Sequence, residues 1–81
     1  MNELRKTIKR DTIEKVEKHV SSYKPFEAII DIYVDMRLEQ RELEKQILEL
    51  PKDTERYTVL SEILDDLKAD IKNYQEQLLI N

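Results

Sequence analysis

The chain has 81 residues, 40% hydrophobic and 40% charged, with a formal net charge of −4, no cysteine and no glycine. Without cysteine it has neither disulfides nor thiolate metal sites, which fits a reducing compartment, and without glycine it cannot build the glycine-rich loops that hold nucleotide phosphates. The length allows one domain, residues 1–81, with a small core that needs good packing or association between chains, and the balance of hydrophobic and charged residues predicts an all-α fold of long amphipathic helices.

The first helix is expected over about residues 3–21. Four hydrophobic residues share one face of it, at intervals of three and four: Ile13, Val16, Val20 and Tyr23. Leu4 lies about 100° away from that face, and Asp11 followed by Glu14 has the pattern of a second helix start. We therefore expect the first ten residues to fray or to kink away from the rest of the helix, which ends before Pro25.

The second helix is expected over about residues 25–50 and contains the most hydrophobic part of the chain. One face carries residues at intervals of three and four: Phe26, Ile29, Tyr33, Met36, Gln40, Leu43 and Ile47. Such a stripe packs against one neighbouring helix, and Gln40 is its only polar member. Ile30, Val34 and Leu38 lie about 100 to 180° away from its centre, so the second helix needs a second neighbour along its first half.

The third helix is expected over about residues 54–79, because Pro51 ends the second helix and Asp53 or Thr54 can cap the third. Its hydrophobic stripe is again unbroken: Tyr57, Leu60, Leu64, Leu67, Ile71, Tyr74 and Leu78. Folded back antiparallel, the two stripes match position by position. The prediction is a long antiparallel helical hairpin with coiled-coil-like packing, which the shorter N-terminal helix completes to a three-helix bundle.

Two charged surfaces are expected on this bundle. The second helix keeps an acidic face, exposed to solvent or binding a basic partner: Asp31, Asp35, Glu42 and Glu49. The first helix carries a basic patch: Arg5, Lys6, Lys9 and Arg10. Residues 1–25 have seven Lys or Arg against four Asp or Glu, whereas residues 26–81 have seven against fourteen. The basic patch therefore either pairs with the acids of the second helix or binds the phosphates of a nucleic acid or a membrane surface.

One set of hydrophobic residues has no predicted neighbour. It comprises Leu48, Val59, Ile63, Leu79 and Ile80. Hydrophobic residues left in one region usually mark an interface, so a two-fold homodimer is expected in which the third helix makes most of the contact. The alternative is a monomer whose hydrophobic patch binds the partner.

Few residues are candidates for catalysis. Glu39 and Glu42, followed by Glu62 and Asp65, resemble the paired acidic motifs with which all-α nucleotide pyrophosphatases hold Mg²⁺. Within one hairpin, however, Glu42 and Glu62 diverge, because each lies about 140 to 160° from the centre of its stripe. His19 lies beside a hydrophobic face without the neighbours of a base or a metal ligand. We therefore expect no catalytic, cofactor-binding or metal-binding residues.

These features favour a cytoplasmic protein that binds a partner protein, as a small regulator, adaptor or inhibitor of the kind that phages and mobile elements encode. Residues 1–10 lack the hydrophobic core of a secretory signal, and no segment approaches the roughly 18 apolar residues of a membrane span. Nucleic-acid binding through the basic first helix is the alternative, although the excess of acidic residues disfavours it. A metal-dependent nucleotide hydrolase is the remotest alternative.

Overall fold

The computed structural model describes residues 3–80 and contains three α-helices within them: α1 (Glu3–Val16), α2 (Glu27–Leu48) and α3 (Glu55–Gln77). A short 3-10 helix, Lys24–Phe26, leads into α2 and carries a proline in its first turn, where the missing N–H of proline leaves no hydrogen bond unmade. The all-α class and the three-helix bundle predicted from the sequence are confirmed.

Helices α2 and α3 form the predicted antiparallel hairpin. Their stripes supply most of the buried hydrophobic side chains: Tyr33, Leu43, Leu64, Leu67, Ile71 and Leu78. The side-chain Nε2 of Gln75 donates a hydrogen bond of 3.2 Å to the hydroxyl oxygen of Tyr33. Gln75 lies one turn beyond Ile71, the residue that the sequence pairs with Tyr33. This hydrogen bond therefore agrees with the predicted register of the hairpin.

The turn of the hairpin is stabilised at the start of α3. Thr54 has an extended backbone, and its hydroxyl oxygen accepts a hydrogen bond of 3.3 Å from the backbone N–H of Tyr57, as expected of an N-cap residue. The same hydroxyl donates to the carbonyl oxygen of Pro51 at 2.7 Å. One threonine thus satisfies a free N–H at the helix start and holds the turn that directs α3 back along α2.

Helix α1 ends at Val16, five residues earlier than the sequence predicts. The carbonyl oxygen of Val16 accepts hydrogen bonds from the backbone N–H groups of His19 at 3.0 Å and of Val20 at 3.2 Å. The chain then leaves the helical path, and Val20 and Tyr23 pack against the core. The helical spacing of these two residues is therefore satisfied by a turn instead of a longer helix.

The expectation that the first ten residues fray or kink away from the helix is wrong for residues 3–10, which belong to α1. Residues 1 and 2 lie outside the described residues. Helix α1 runs without interruption from Glu3, and Ile8 packs against the core. Arg5 and Lys9 reach acidic side chains of α2. The hydrophobic pattern could not predict this, because it ignores the polar residues that also hold the helix.

Helix α2 lies between the other two helices. Within residues 3–80, no Cα atom of α1 comes within 8 Å of a Cα atom of α3, whereas α2 approaches both. The Cα atoms span 49 × 27 × 17 Å, which gives the bundle a flattened cross-section. The outer face of α2 is the face that carries Ile30 and Val34. Within residues 3–80, α1 covers the first half of this face and no helix covers the second half.

Candidate partner-binding groove

An open groove of about 790 Å³ lies where α1 begins. Leu4 of α1 borders it, and the C-terminal half of α2 forms its floor. The lining residues are Leu4, Arg37, Leu38, Gln40, Arg41, Glu42, Glu44, Lys45 and Leu48. Small-molecule sites bury most of their ligand, whereas this groove is open to solvent. Its shape therefore suits a segment of another protein better than a small molecule.

The groove follows from the spacing of residues on the outer face of α2. Its floor is a stripe at intervals of three and four: Leu38, Arg41, Lys45 and Leu48. The stripe continues the face that carries Ile30 and Val34, both fully buried. Among the described residues, α1 reaches the groove with its first turn, at Leu4, and Leu48 at the other end of the stripe is 86% exposed.

The middle of the groove is positively charged. Arg41 and Lys45 stand between the two leucines of the stripe, and Arg37 flanks them. In the part of the chain that the structure describes, none of these three bases has a carboxylate oxygen within 4.0 Å. Glu42 and Glu44 also line the groove. Three bases against two acids give the lining a charge of +1, in a chain whose net charge is −4.

The predicted basic patch and the predicted acidic face meet in part. The Nζ atom of Lys9 lies 2.9 Å from Oδ1 of Asp31 and 3.5 Å from Oε2 of Glu27. The Nη2 atom of Arg5 lies 2.9 Å from Oδ1 of Asp35. The hydrogen bond to Asp31, helped by the charges of Asp31 and Glu27, raises the pKa of Lys9 against the opposing effect of burial. Two of the four bases thus pair with acids of α2.

The other members of both predicted surfaces are exposed. Lys6 and Arg10 of the basic patch are exposed on α1. Glu42 of the acidic face is exposed on α2, and Glu49 is exposed directly after it. The acidic face is therefore divided between two environments. Its first two members pair with bases of α1, Glu42 lines the groove, and Glu49 lies just beyond the end of α2.

The structure does not bring together the five residues of the predicted oligomer interface. Leu48 lines the groove, while Val59 and Ile63 are 46% and 45% exposed in the first turns of α3. Leu79 and Ile80 follow the other end of α3, about 30 Å away along the helix axis. Ile80 is half-buried and packs against the core. The five residues are therefore spread over both ends of the hairpin.

The residues considered for catalysis do not form a cluster. Within residues 3–80, no group of three or more His, Cys, Asp or Glu side chains is placed to hold a metal ion. His19 is exposed in the turn after α1, and Glu42 and Glu62 are exposed on different helices. None of the helices in the same range is both long enough and hydrophobic enough to cross a membrane.

The groove is the part of the site that sequence reasoning missed. The sequence predicts that Leu48 has no neighbour, but it does not connect Leu48 with Leu4 or with the bases between them. The stripe of Leu38, Arg41, Lys45 and Leu48 could have revealed the groove. A search for hydrophobic residues at helical spacing does not find it, because two of its four positions are Arg41 and Lys45. Gln40, the polar member of the hydrophobic stripe, is half-buried and also lines the groove.

No protein-family model, no curated protein and no solved structure matches this chain. The geometry and the charges of the groove are therefore the observations on which a function can rest.

Proposed function

We propose that this chain is a small protein-binding module that takes one helix of another protein into the groove, and that it acts by binding and not by catalysis. One observation carries the proposal: the outer face of α2 continues past α1 into a half that has a leucine at each end, Leu38 and Leu48, and α1 covers only the first half of this face. Ile30 and Val34 in the covered half are fully buried, whereas Leu48 in the other half is almost fully exposed. Burying a leucine side chain contributes about 1.5–3 kcal/mol, so Leu48 favours a helix that covers it.

The dimensions of the groove suit a helix of about three turns. The rise from Leu38 to Leu48 is about 15 Å. Leu4 and Leu38 offer hydrophobic contacts at one end, Leu48 offers one at the other end, and the bases between them can orient the bound helix. Amphipathic helices that insert residues at intervals of three and four into such grooves are a common mode of recognition. The bound helix would lie end to end with α1.

Nucleic-acid binding through α1 has less support. Affinity for a phosphate backbone grows with the number of bases that reach it. Arg5 and Lys9 are paired with acids of α2, and Lys6 and Arg10 are the members of the patch that remain exposed. Two exposed bases on a short helix of an acidic chain give little attraction for a nucleic acid.

In this proposal the chain acts in the cytoplasm as a regulator, adaptor or inhibitor, and it can also form a homodimer. Val59 and Ile63 lie on the side of the hairpin away from the groove. Ile63 comes directly before Leu64 of the α3 stripe, whereas Leu48 comes directly after Ile47 of the α2 stripe. In an antiparallel pair of helices, a residue that precedes the stripe of one helix and a residue that follows the stripe of the other lie on opposite sides of the pair. A dimer formed through α3 would therefore leave the groove open.

Capture from an extract of the source organism tests the proposal. Two variants are compared, Leu48→Glu and Leu79→Glu, each of which replaces an exposed leucine, but only the first changes the groove. We expect the partner protein captured by the parent chain to be captured by Leu79→Glu and lost from Leu48→Glu, with equal helicity by circular dichroism. Equal capture by the two variants would contradict a binding site in the groove.

A further inference from the structure

The outer face of α2 changes the sign of its charge along the helix. Beneath α1 this face is acidic, since Asp31 and Asp35 lie there and pair with bases of α1. In the groove the same face has a net charge of +1: Arg41 and Lys45 lie in the stripe and Arg37 beside it, against the two acids Glu42 and Glu44. The change occurs within about two turns, so two helices placed end to end on this face meet opposite charges.

Helix α1 shows how a helix binds this face. Its Ile8 packs against the core, and Arg5 and Lys9 each lie 2.9 Å from a carboxylate oxygen of α2. The bound surface of α1 is thus a hydrophobic row flanked by charges opposite to those of α2. A helix in the groove continues the line of α1 on the same stripe, so it needs hydrophobic residues over the two leucines and charges opposite to those that α1 carries.

We propose that the groove binds an acidic amphipathic helix of a partner protein, an inference that rests on the proposed function. Hydrophobic side chains of that helix would lie over Leu38 and Leu48, and carboxylates over Arg41 and Lys45. Its bound face carries a hydrophobic, an acidic, an acidic and a hydrophobic residue at intervals of three, four and three. A basic helix would bring like charges together in the middle of the groove, which disfavours binding and slows association.

Two synthetic peptides test this chemistry. Both are alanine-based helices labelled with fluorescein, with leucines at the two ends of the motif, and they differ only in the two middle positions, which are glutamate in one and lysine in the other. Binding to the whole chain is followed by fluorescence anisotropy at low and at physiological salt. We expect the glutamate peptide to bind at least about tenfold more tightly than the lysine peptide, and its affinity to fall as salt is added.

Charge reversal in the protein supplies the matched control. The double variant Arg41→Glu, Lys45→Glu should bind the lysine peptide more tightly than the glutamate peptide. The double variant Lys68→Glu, Lys72→Glu changes the net charge equally at exposed positions of α3 and should keep the preference of the parent chain. Loss of the preference in both double variants would overturn the inference, because it would show attraction to the overall charge alone.

Failure of this inference can be told apart from failure of the groove. If Leu48→Glu abolishes the binding of both peptides but the parent chain prefers neither, the groove binds helices and the acidic assignment is overturned. If neither peptide binds and Leu48→Glu captures the same proteins as Leu79→Glu, both proposals fail. If the parent chain sediments as a dimer, at about twice 9.8 kDa, and the Lys45→Glu variant sediments as a monomer, a second copy of the chain fills the groove. That result would overturn the proposal of a separate partner protein.

Discussion

Arg5 marks the position of α1 along α2. A first helix that turned back at residues 21–25 would pair Ile13 with Val34, which would place Arg5 beside residue 42 of an antiparallel α2. In the structure Arg5 lies 2.9 Å from Asp35, about two turns away from that position. Hydrophobic stripes repeat with every turn, so they fit nearly as well after a shift of one or two turns. The structure adopts the register in which Arg5 and Lys9 meet acids of α2, and the spacing of hydrophobic residues alone cannot predict it.

The ion pair of Lys9 predicts a loss of stability at high pH. The pKa of Lys9 is raised in the folded chain by the hydrogen bond and the charge of Asp31. Its contribution is therefore fully present below the unfolded pKa of about 10.4 and is lost as pH rises through the higher folded pKa. Melting temperatures measured between about pH 9 and pH 12 should fall more in the parent chain than in Lys9→Arg, since arginine keeps its charge there. An equal fall in both would show that the ion pair does not stabilise the fold.

Leu79 predicts a stabilising substitution at the end of α3. It has a φ of 60°, in the left-handed region that costs a residue with a Cβ about 1–2 kcal/mol, and the next backbone N–H donates to the carbonyl oxygen of Gln75 at 3.0 Å. Leu79→Gly should raise the free energy of unfolding in urea by about 0.5–1 kcal/mol. Leu79→Ala removes the same exposed side chain but keeps the strain, so a gain of the same size in that variant would refute the explanation.

The helices themselves differ in how far the sequence predicts them. The hairpin of α2 and α3 could be predicted because both stripes are unbroken and the turn between them is short, so few other pairings bury as much hydrophobic surface. The end of α1 could not, because Val20 keeps the helical spacing while the backbone turns at Val16. A hydrophobic pattern records which residues are buried and not whether a helix or a turn buries them.

The hairpin is tested by placing a charge between its helices. Leu43 is buried in the stripe of α2, and Leu43→Asp puts a carboxylate there without a partner. The variant should lose about 3 kcal/mol or more of unfolding free energy, because a buried charge must be desolvated or protonated. Val59→Asp introduces the same carboxylate at an exposed position of α3 and should stay within about 1 kcal/mol of the parent chain. A Leu43→Asp variant that melts with the parent chain would rule out the observed packing.

At the scale of the whole molecule, the groove results from the order of the helices across the bundle. The sequence predicts three helices and the need of α2 for two neighbours, but not how α1 is placed along α2. In that placement α1 ends early, at Val16, and its Arg5 and Lys9 pair with Asp35 and Asp31 of α2. This placement leaves Leu48 uncovered, so the predicted leftover residue is part of a groove lined by Arg41 and Lys45.

Nuclear magnetic resonance of the nitrogen-15-labelled chain, titrated with the glutamate peptide, tests the groove most directly. Amide shifts report which residues a bound helix touches, independently of any loss of folding in a variant. We predict that the shifts concentrate in residues 37–48 of α2 and in the first turn of α1, while residues 59–71 of α3 stay unchanged. Shifts that concentrate in α3, or that spread evenly over the chain, would contradict the groove as the partner-binding site.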